Sequence, residues 1–126
     1  MITVREVAFF GYAVTDLKRA REFYEGLLGL KVAQTFGEGD KLWIEYEVAG
    51  VTLAITNMAG EDWKPSTDGG SVALEVEDFD DAVRQIKAAG VPITMGPYES
   101  PVCWMLLVRD PDGNGLCIHR RHDHAV

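Results

Sequence analysis

Four side chains in this sequence, Glu45, Glu75, Cys117 and His119, have the types that do chemistry. Carboxylates serve as general acids or bases, and Cys with a nearby His can form half of a zinc site or a base-activated thiol nucleophile. Cys117 and His119 lie two apart, which on a strand sets them on one face, side by side but not obliged to hydrogen-bond. No metal-ligand spacing accompanies them, so a small buried thiol is the more economical reading of Cys117 and a rebuilt metal site the less economical one. The tail His119, Arg120, Arg121, His122, Asp123, His124 could also bind metal. Clustered His near a terminus is, however, usually solvated, and the tail from Arg120 is expected to fray.

What positions Cys117 and His119 is the run before them, Arg109-Asp110-Pro111-Asp112-Gly113-Asn114-Gly115. Pro fixes φ, and Gly and Asn tolerate positive φ, so Asp-Pro-Asp-Gly-Asn predicts a tight reversal after which the last strand starts at a defined point. Leu116 and Ile118 then face the core, and Cys117 and His119 share the opposite face.

Composition narrows the partners. A chain of 126 residues that is 47% hydrophobic and 10% aromatic can bury a real core as a single domain. A formal charge of -8 disfavours attraction to nucleic acid or anionic lipid. No stretch approaches the roughly 20 apolar residues of a membrane span, and residues 1–10 carry Arg5 and Glu6 without a signal-peptide pattern. Cys103 and Cys117 have neither CxxC spacing nor the density of a disulfide scaffold, so both are expected as reduced thiols in a cytoplasmic protein.

The chain reads as a duplication. Val14-Thr15-Asp16-Leu17-Lys18-Arg19-Ala20 recurs 62 positions later as Val76-Glu77-Asp78-Phe79-Asp80-Asp81-Ala82. In each half an apolar strand (residues 7–14 and 71–76) runs into Asp16 or Asp78, a carboxylate suited to cap a helix. Ala20, Phe23, Tyr24, Leu27 and Leu28 recur at helical spacing, as do Phe79, Ala82, Val83, Ile86 and Ala89, and Gly29 and Gly90 end the two helices. Extended segments follow at residues 31–36, 42–48 and 51–57 in the first half and 93–95, 102–108 and 116–120 in the second, separated by Gly-rich turns. The fold class is therefore α+β: two tandem βαβββ modules, residues 1–58 and 71–120, with a linker at 59–70 and a tail at 121–126, in one domain spanning 1–126.

A two-residue hairpin at Ala49-Gly50 would oppose Val48 with Val51, Tyr46 with Leu53 and Ile44 with Ile55. That apolar face packs on the helix. Trp43, Glu45, Ala54 and Thr56 are left on the other face, an assignment that a one-residue slip would reverse.

Two βαβββ halves, each with V-x-D-[LF]-x-x-A, and a final D-P-D-G-N before the last strand resemble the vicinal oxygen chelate superfamily, the group of glyoxalase I, bleomycin-resistance proteins and extradiol dioxygenases. The resemblance covers nearly the whole chain. It implies strands curled into a ligand-holding cup, a mixed sheet with helices on its outer face, and a homodimer. Its metal enzymes use a His on the first strand and a carboxylate on the last strand of a module, and those positions fall here on Phe9, Ser71, Ala54 and Cys117. Three of the four make poor ligands, so no metal or other cofactor is expected, which weakens the glyoxalase and dioxygenase readings.

A cup without that chemistry keeps its aromatics. Phe9, Trp43, Trp104 and Tyr98 are candidate walls, although Trp104 and Tyr98 suit core packing or a dimer contact equally well. Glu45 and Glu75 are candidate polar anchors, and Ala54, Thr56, Ser71, Cys117 and His119 share the candidate lining. The expected function is metal-independent binding and sequestration of a small aromatic ligand, cationic or hydrogen-bond donating. The alternatives are a lyase or isomerase working through Glu45, Glu75, Cys117 or His119, and a degenerate domain serving as an interaction partner. A perturbed pKa separates catalyst from binder, because catalytic groups are tuned to their reaction.

Overall fold

The computed structural model describes residues 1, 3 and 5–123. His124, a member of the His-containing tail, lies outside the described residues. The chain divides into two compact units, Met1–Pro65 and Ser66–Val126, a boundary inside the expected linker.

In the first unit β1 (Phe10–Ala13) leads to helix α1 (Leu17–Arg21), which continues as a π-helical segment Glu22–Leu27 and is followed by β2 (Lys31–Glu38), β3 (Lys41–Val48) and β4 (Val51–Thr56). The second unit repeats this with β5 (Val72–Glu75), α2 (Phe79–Ala88), β6 (Ile93–Glu99), β7 (Cys103–Arg109) and β8 (Gly115–Arg121). Each unit holds one four-stranded mixed sheet, ordered β1-β4-β3-β2 and β5-β8-β7-β6, with its first and last strands parallel and the remaining pairs antiparallel. This is the α+β, tandem βαβββ architecture read from the repeat. Among the described residues no helix is long and apolar enough to cross a membrane.

The repeated aspartates act as caps. Asp16 Oδ1 accepts from the Arg19 amide and Asp78 Oδ1 from the Asp81 amide, each at 3.0 Å, satisfying one orphan N–H of each first turn. Ala49 (φ 49°) and Gly50 (φ 86°) form the two-residue hairpin, and the β3/β4 register is Trp43 with Thr56, Ile44 with Ile55, Glu45 with Ala54 and Tyr46 with Leu53. Face assignment in the first sheet therefore follows the alternation expected.

Tyr12, Ile44, Tyr46, Leu53 and Ile55 are buried with Ala20, Phe23 and Tyr24. The Tyr24 ring stacks on Tyr12 at 6.4 Å and on Tyr46 at 6.1 Å, which fixes this as the helix side of the sheet. The expected uninterrupted α-helix is corrected here to an α-to-π transition, seen in the Leu28 amide bonding the Phe23 carbonyl. The widened turn lets Phe23 and Tyr24 both point inward. In the second unit Leu106, Val108, Leu116 and Ile118 are buried with Phe79, Val83 and Ile86 of α2.

The Asp110 turn is built as its composition predicts. Asp110 Oδ1 accepts from the Asp112 and Asn114 amides at 2.9 Å, and Oδ2 accepts from Asn114 Nδ2 at 2.9 Å. Asn114 Oδ1 in turn accepts from the Ser66 amide at 3.0 Å, tying the linker end to the turn.

Several boundaries differ from expectation, among them the extension of β2 to Glu38. β1 is shorter than residues 7–14, β6 extends to Glu99, and the tail does not fray at Arg120. Arg121 belongs to β8, and His122 is buried with Nε2 3.0 Å from the Ser100 carbonyl and 3.1 Å from a Glu99 oxygen. Polar partners on the β6–β7 connection therefore order a segment whose composition reads as solvated.

Candidate functional site

Each sheet has a face turned away from its helix, and the two are described in turn. On the first, register places Gly11, Ala54, Glu45 and Gln34 in one row across the sheet, with Ala13, Thr56, Trp43 and Phe36 in the next. Phe9 and Trp43 lean toward each other from different rows, and their rings meet edge to face at 5.0 Å. Trp43 donates its indole N–H to Glu45 Oε2 at 2.9 Å. Ala54, in the row between them, is fully buried.

Trp63, just after the short helical turn Gly60–Asp62, closes this face. A Cβ at Gly11 would lie 3.0 Å from Trp63 Cη2 and 3.6 Å from the Phe9 ring, so two rings occupy the space that a side chain at position 11 would fill. Phe9 and Trp63 remain 45% and 38% exposed, leaving ring surface accessible. Thr56 is not open. Its hydroxyl donates to the Leu42 carbonyl at 2.9 Å and accepts from the Met58 amide at 3.0 Å, so it ties strand ends together.

On the second sheet Glu75, His119 and Met105 are in register, as are Ala73, Cys117 and Leu107, with Tyr98 beside Met105. His119 Nδ1 is 2.6 Å from Glu75 Oε1, and Glu75 Oε2 accepts from the Arg121 amide at 2.7 Å. Partial burial, the largest influence on the Glu75 carboxyl, raises its pKa, but these hydrogen bonds and the neighbouring charges carry it below its ordinary value. Ser71 is exposed just ahead of β5. Cys117 is buried, and burial pushes its thiol pKa up.

Trp104 stands apart from the expected wall. It is in register with Arg120 and Glu99, stacks on Phe79 of α2 at 6.5 Å, and meets the His122 ring at 4.0 Å, so it packs on the helix side. Tyr98 lies on the open face, its hydroxyl 3.2 Å from the Met105 sulfur.

The metal positions of the superfamily do not fit a divalent cation in this chain. Phe9 and Ala54 carry no donor atom, Ala54 is sealed, and the Cys117 thiol is shielded and held protonated. Among the described residues no three His, Cys, Asp or Glu gather as a metal site would require.

The sequence reading did not assign Trp63, Gly11 or Phe36 to the open face. A signal existed for Gly11: a glycine inside an apolar strand marks a close approach by another group. Nothing local foretells that a linker tryptophan is that group.

The duplicated fold and the family model agree. The chain matches the model of the Glyoxalase/Bleomycin resistance protein/Dioxygenase superfamily over residues 6–118 and belongs to that superfamily. Among solved structures it is similar to TnmS3, an antibiotic binding protein from Streptomyces sp. CB03234, at 21% identity and TM-score 0.77, covering 97% of this chain and 100% of that one. It is similar to the trypanothione-dependent glyoxalase I of Leishmania major at 26% identity and TM-score 0.75, covering 93% and 87%. A glyoxalase family protein from Enterococcus faecalis aligns at 18% identity and TM-score 0.68, covering 92% and 98%. No curated protein matches the chain by sequence.

Proposed function

We propose that this protein binds a small, flat organic molecule on the ring-lined face of its first sheet and acts by sequestering it, without a metal ion. The observation that carries this reading is the gathering of Phe9, Trp43 and Trp63 around Gly11, with the Glu45 carboxylate at their edge. Aromatic walls with one fixed polar group are the ordinary make-up of a small-molecule site. The carboxylate favours a ligand that is cationic or donates a hydrogen bond. The shared fold with an antibiotic binding protein makes an organic occupant natural, while the chemistry of recognition comes from this chain's own rings.

An acid/base enzyme is the second reading, and it rests on the Glu75–His119 pair. Sequestration is favoured over it. A carboxylate held below its usual pKa is a weak base, and a thiol pushed up is a poor nucleophile at neutral pH. The free, buried Cys103 and Cys117 support a reducing, cytoplasmic setting. We also propose a homodimer. In support, every residue of the edge strand β2 is exposed, Phe36 among them, a surface that a second copy would cover.

Binding is tested by titrating the protein with proflavine, a planar aromatic cation, and following tryptophan quenching. Saturable quenching that is lost in Trp43→Ala supports the reading. No saturable binding of proflavine or of a panel of neutral planar aromatics overturns it. Metal analysis of untagged protein, with thermal shift against zinc, nickel, manganese and ferrous iron, tests metal independence: stoichiometric metal with a raised melting point would sink it.

A further inference from the structure

The open face of the second sheet carries an arrangement that the first-sheet reading does not use. His119 is fixed by one hydrogen bond, 2.6 Å from Nδ1 to Glu75 Oε1, and Glu75 is itself anchored by the Arg121 amide at 2.7 Å. A carboxylate only accepts, so Nδ1 carries the proton, and in the neutral form of the ring Nε2 presents a lone pair. Among the described residues Nε2 has no hydrogen-bond partner, and it is not sealed from solvent. The imidazole side chain is 19% exposed.

The neighbours of His119 on this face are apolar and polarisable. Met105 is in register with His119, Tyr98 with Met105, and Leu107 with Cys117, all on one face, and Tyr98 keeps 39% of its surface exposed. The Tyr98 hydroxyl is turned to the Met105 sulfur rather than to the imidazole. Among the described residues the charged groups near the ring are Glu75, Arg120, whose Nη1 is 3.6 Å from the second Glu75 oxygen, and Arg121, whose charge acts on the same carboxyl. The face thus offers an apolar contact beside an uncharged directional acceptor, with the Glu75 oxygens engaged by His119 and the Arg121 amide.

We infer that His119, oriented by Glu75, forms a binding site for a neutral hydroxyaryl group, whose O–H donates to His119 Nε2 while its ring lies along Met105 and Tyr98. A carbonyl or ether has no hydrogen to give to the lone pair, and an anionic ligand would sit beside the Glu75 carboxylate. Sulfur–aromatic contact from Met105 adds preference for an aromatic ring over an alkyl chain. No proton need leave the ligand and no bond is broken, so the site is one of recognition. It lies wholly within the second unit and stands independently of the first-sheet proposal.

The test compares 2-naphthol with its methyl ether, which keeps the ring and loses the donor. Full-length protein labelled with 15N and with 13C-methyl methionine is titrated with each, following the His119 ring nitrogens and the Met105 methyl. The free protein should show the Nδ1–H tautomer at His119, lost in Glu75→Ala. Naphthol should bind about tenfold more tightly than the ether, the worth of one buried hydrogen bond. His119→Phe should abolish that preference while ether binding persists. Equal affinities, absence of binding by both compounds at these nuclei, or an Nε2–H tautomer in the free protein would each overturn the inference. Proflavine quenching at Trp43 reports the first-sheet site separately, so failure of one proposal is distinguishable from failure of the other.

Discussion

Trp43 hands its indole N–H to Glu45 at 2.9 Å, so the carboxylate that faces the open side of the first sheet is held in place by one of the rings it serves. One oxygen is engaged; among the described residues no hydrogen bond to the other is seen, and in the proposed reading it meets the ligand. Glu45→Gln keeps an acceptor for the indole and removes only the charge. We expect it to weaken a planar aromatic cation about tenfold, of the order of a cation's attraction to a partly screened carboxylate, and to leave a neutral analogue unchanged. Calorimetric titration with the two compounds decides it, and equal losses for both would deny Glu45 its role as the charge anchor.

Gly11 makes room for Trp63. An alanine Cβ there would come 3.0 Å from the tip of the indole, a gap that a small swing of the ring relieves, whereas a valine would force the ring off the sheet. Gly11→Val should therefore red-shift and quench Trp63 fluorescence and reduce ligand affinity, while Gly11→Ala does so only weakly. A Trp63→Phe background identifies the emitter. An unchanged spectrum in Gly11→Val would mean that Trp63 does not rest on β1 in solution.

The repeat, the caps, the hairpin register and the Asp110 turn were legible because each is written locally: a duplicated V-x-D-[LF]-x-x-A, an Ala-Gly pair between alternating strands, an Asp three residues before the amide it accepts. Alternation placed Trp43 and Glu45 on one face for the same reason. Trp104 was not legible. Strand β7 pairs with β8 without a shift, so alternation sets Trp104 with Leu106 and Val108, but Met105 and Leu107 are equally apolar and hydropathy alone does not say which set faces the helix. Trp63 and His122 were hidden for another reason. Each takes its place by a contact distant in sequence, Trp63 with Gly11 and His122 with Ser100, which no periodicity encodes.

The π-helical turn of the first unit is tied to the sheet through Glu25, which accepts from Tyr46 Oη at 2.8 Å and from Arg21 Nε at 2.7 Å. Tyr46 is fully buried, and burial, followed by its bond to Glu25, raises the phenol pKa well above its ordinary 10.0. A group whose folded pKa is raised stabilises the fold fully below its unfolded value, and that contribution is lost as pH climbs through the folded value. Tyr46→Phe should cost about 1–2 kcal/mol at neutral pH from the lost hydrogen bond and the stranded carboxylate. Above about pH 10 the wild-type stability should fall while the variant, lacking the phenol, falls less. Urea unfolding across pH 7 to 11 measures both, and parallel curves would show that Tyr46 does not titrate with unfolding.

Cys117 sits where the superfamily's metal enzymes place a last-strand ligand, yet the structure gives it the surroundings of a core residue. It is 4% exposed, its sulfur lies 3.6 Å from the Ile118 carbonyl, and burial raises its pKa. Because the thiolate is the reactive form, a raised pKa and a closed surface both slow attack on an electrophile. Native protein at pH 7 should resist iodoacetamide at Cys117 for hours and react within minutes once unfolded in urea, read by mass spectrometry of the labelled peptide. Cys117→Ala should lower stability by about 1 kcal/mol, in line with removing one small buried group, and leave aromatic-ligand affinity unchanged. Rapid labelling in the native state, together with a loss of ligand binding in Cys117→Ala, would return the thiol to the site and reopen nucleophilic chemistry on the second sheet.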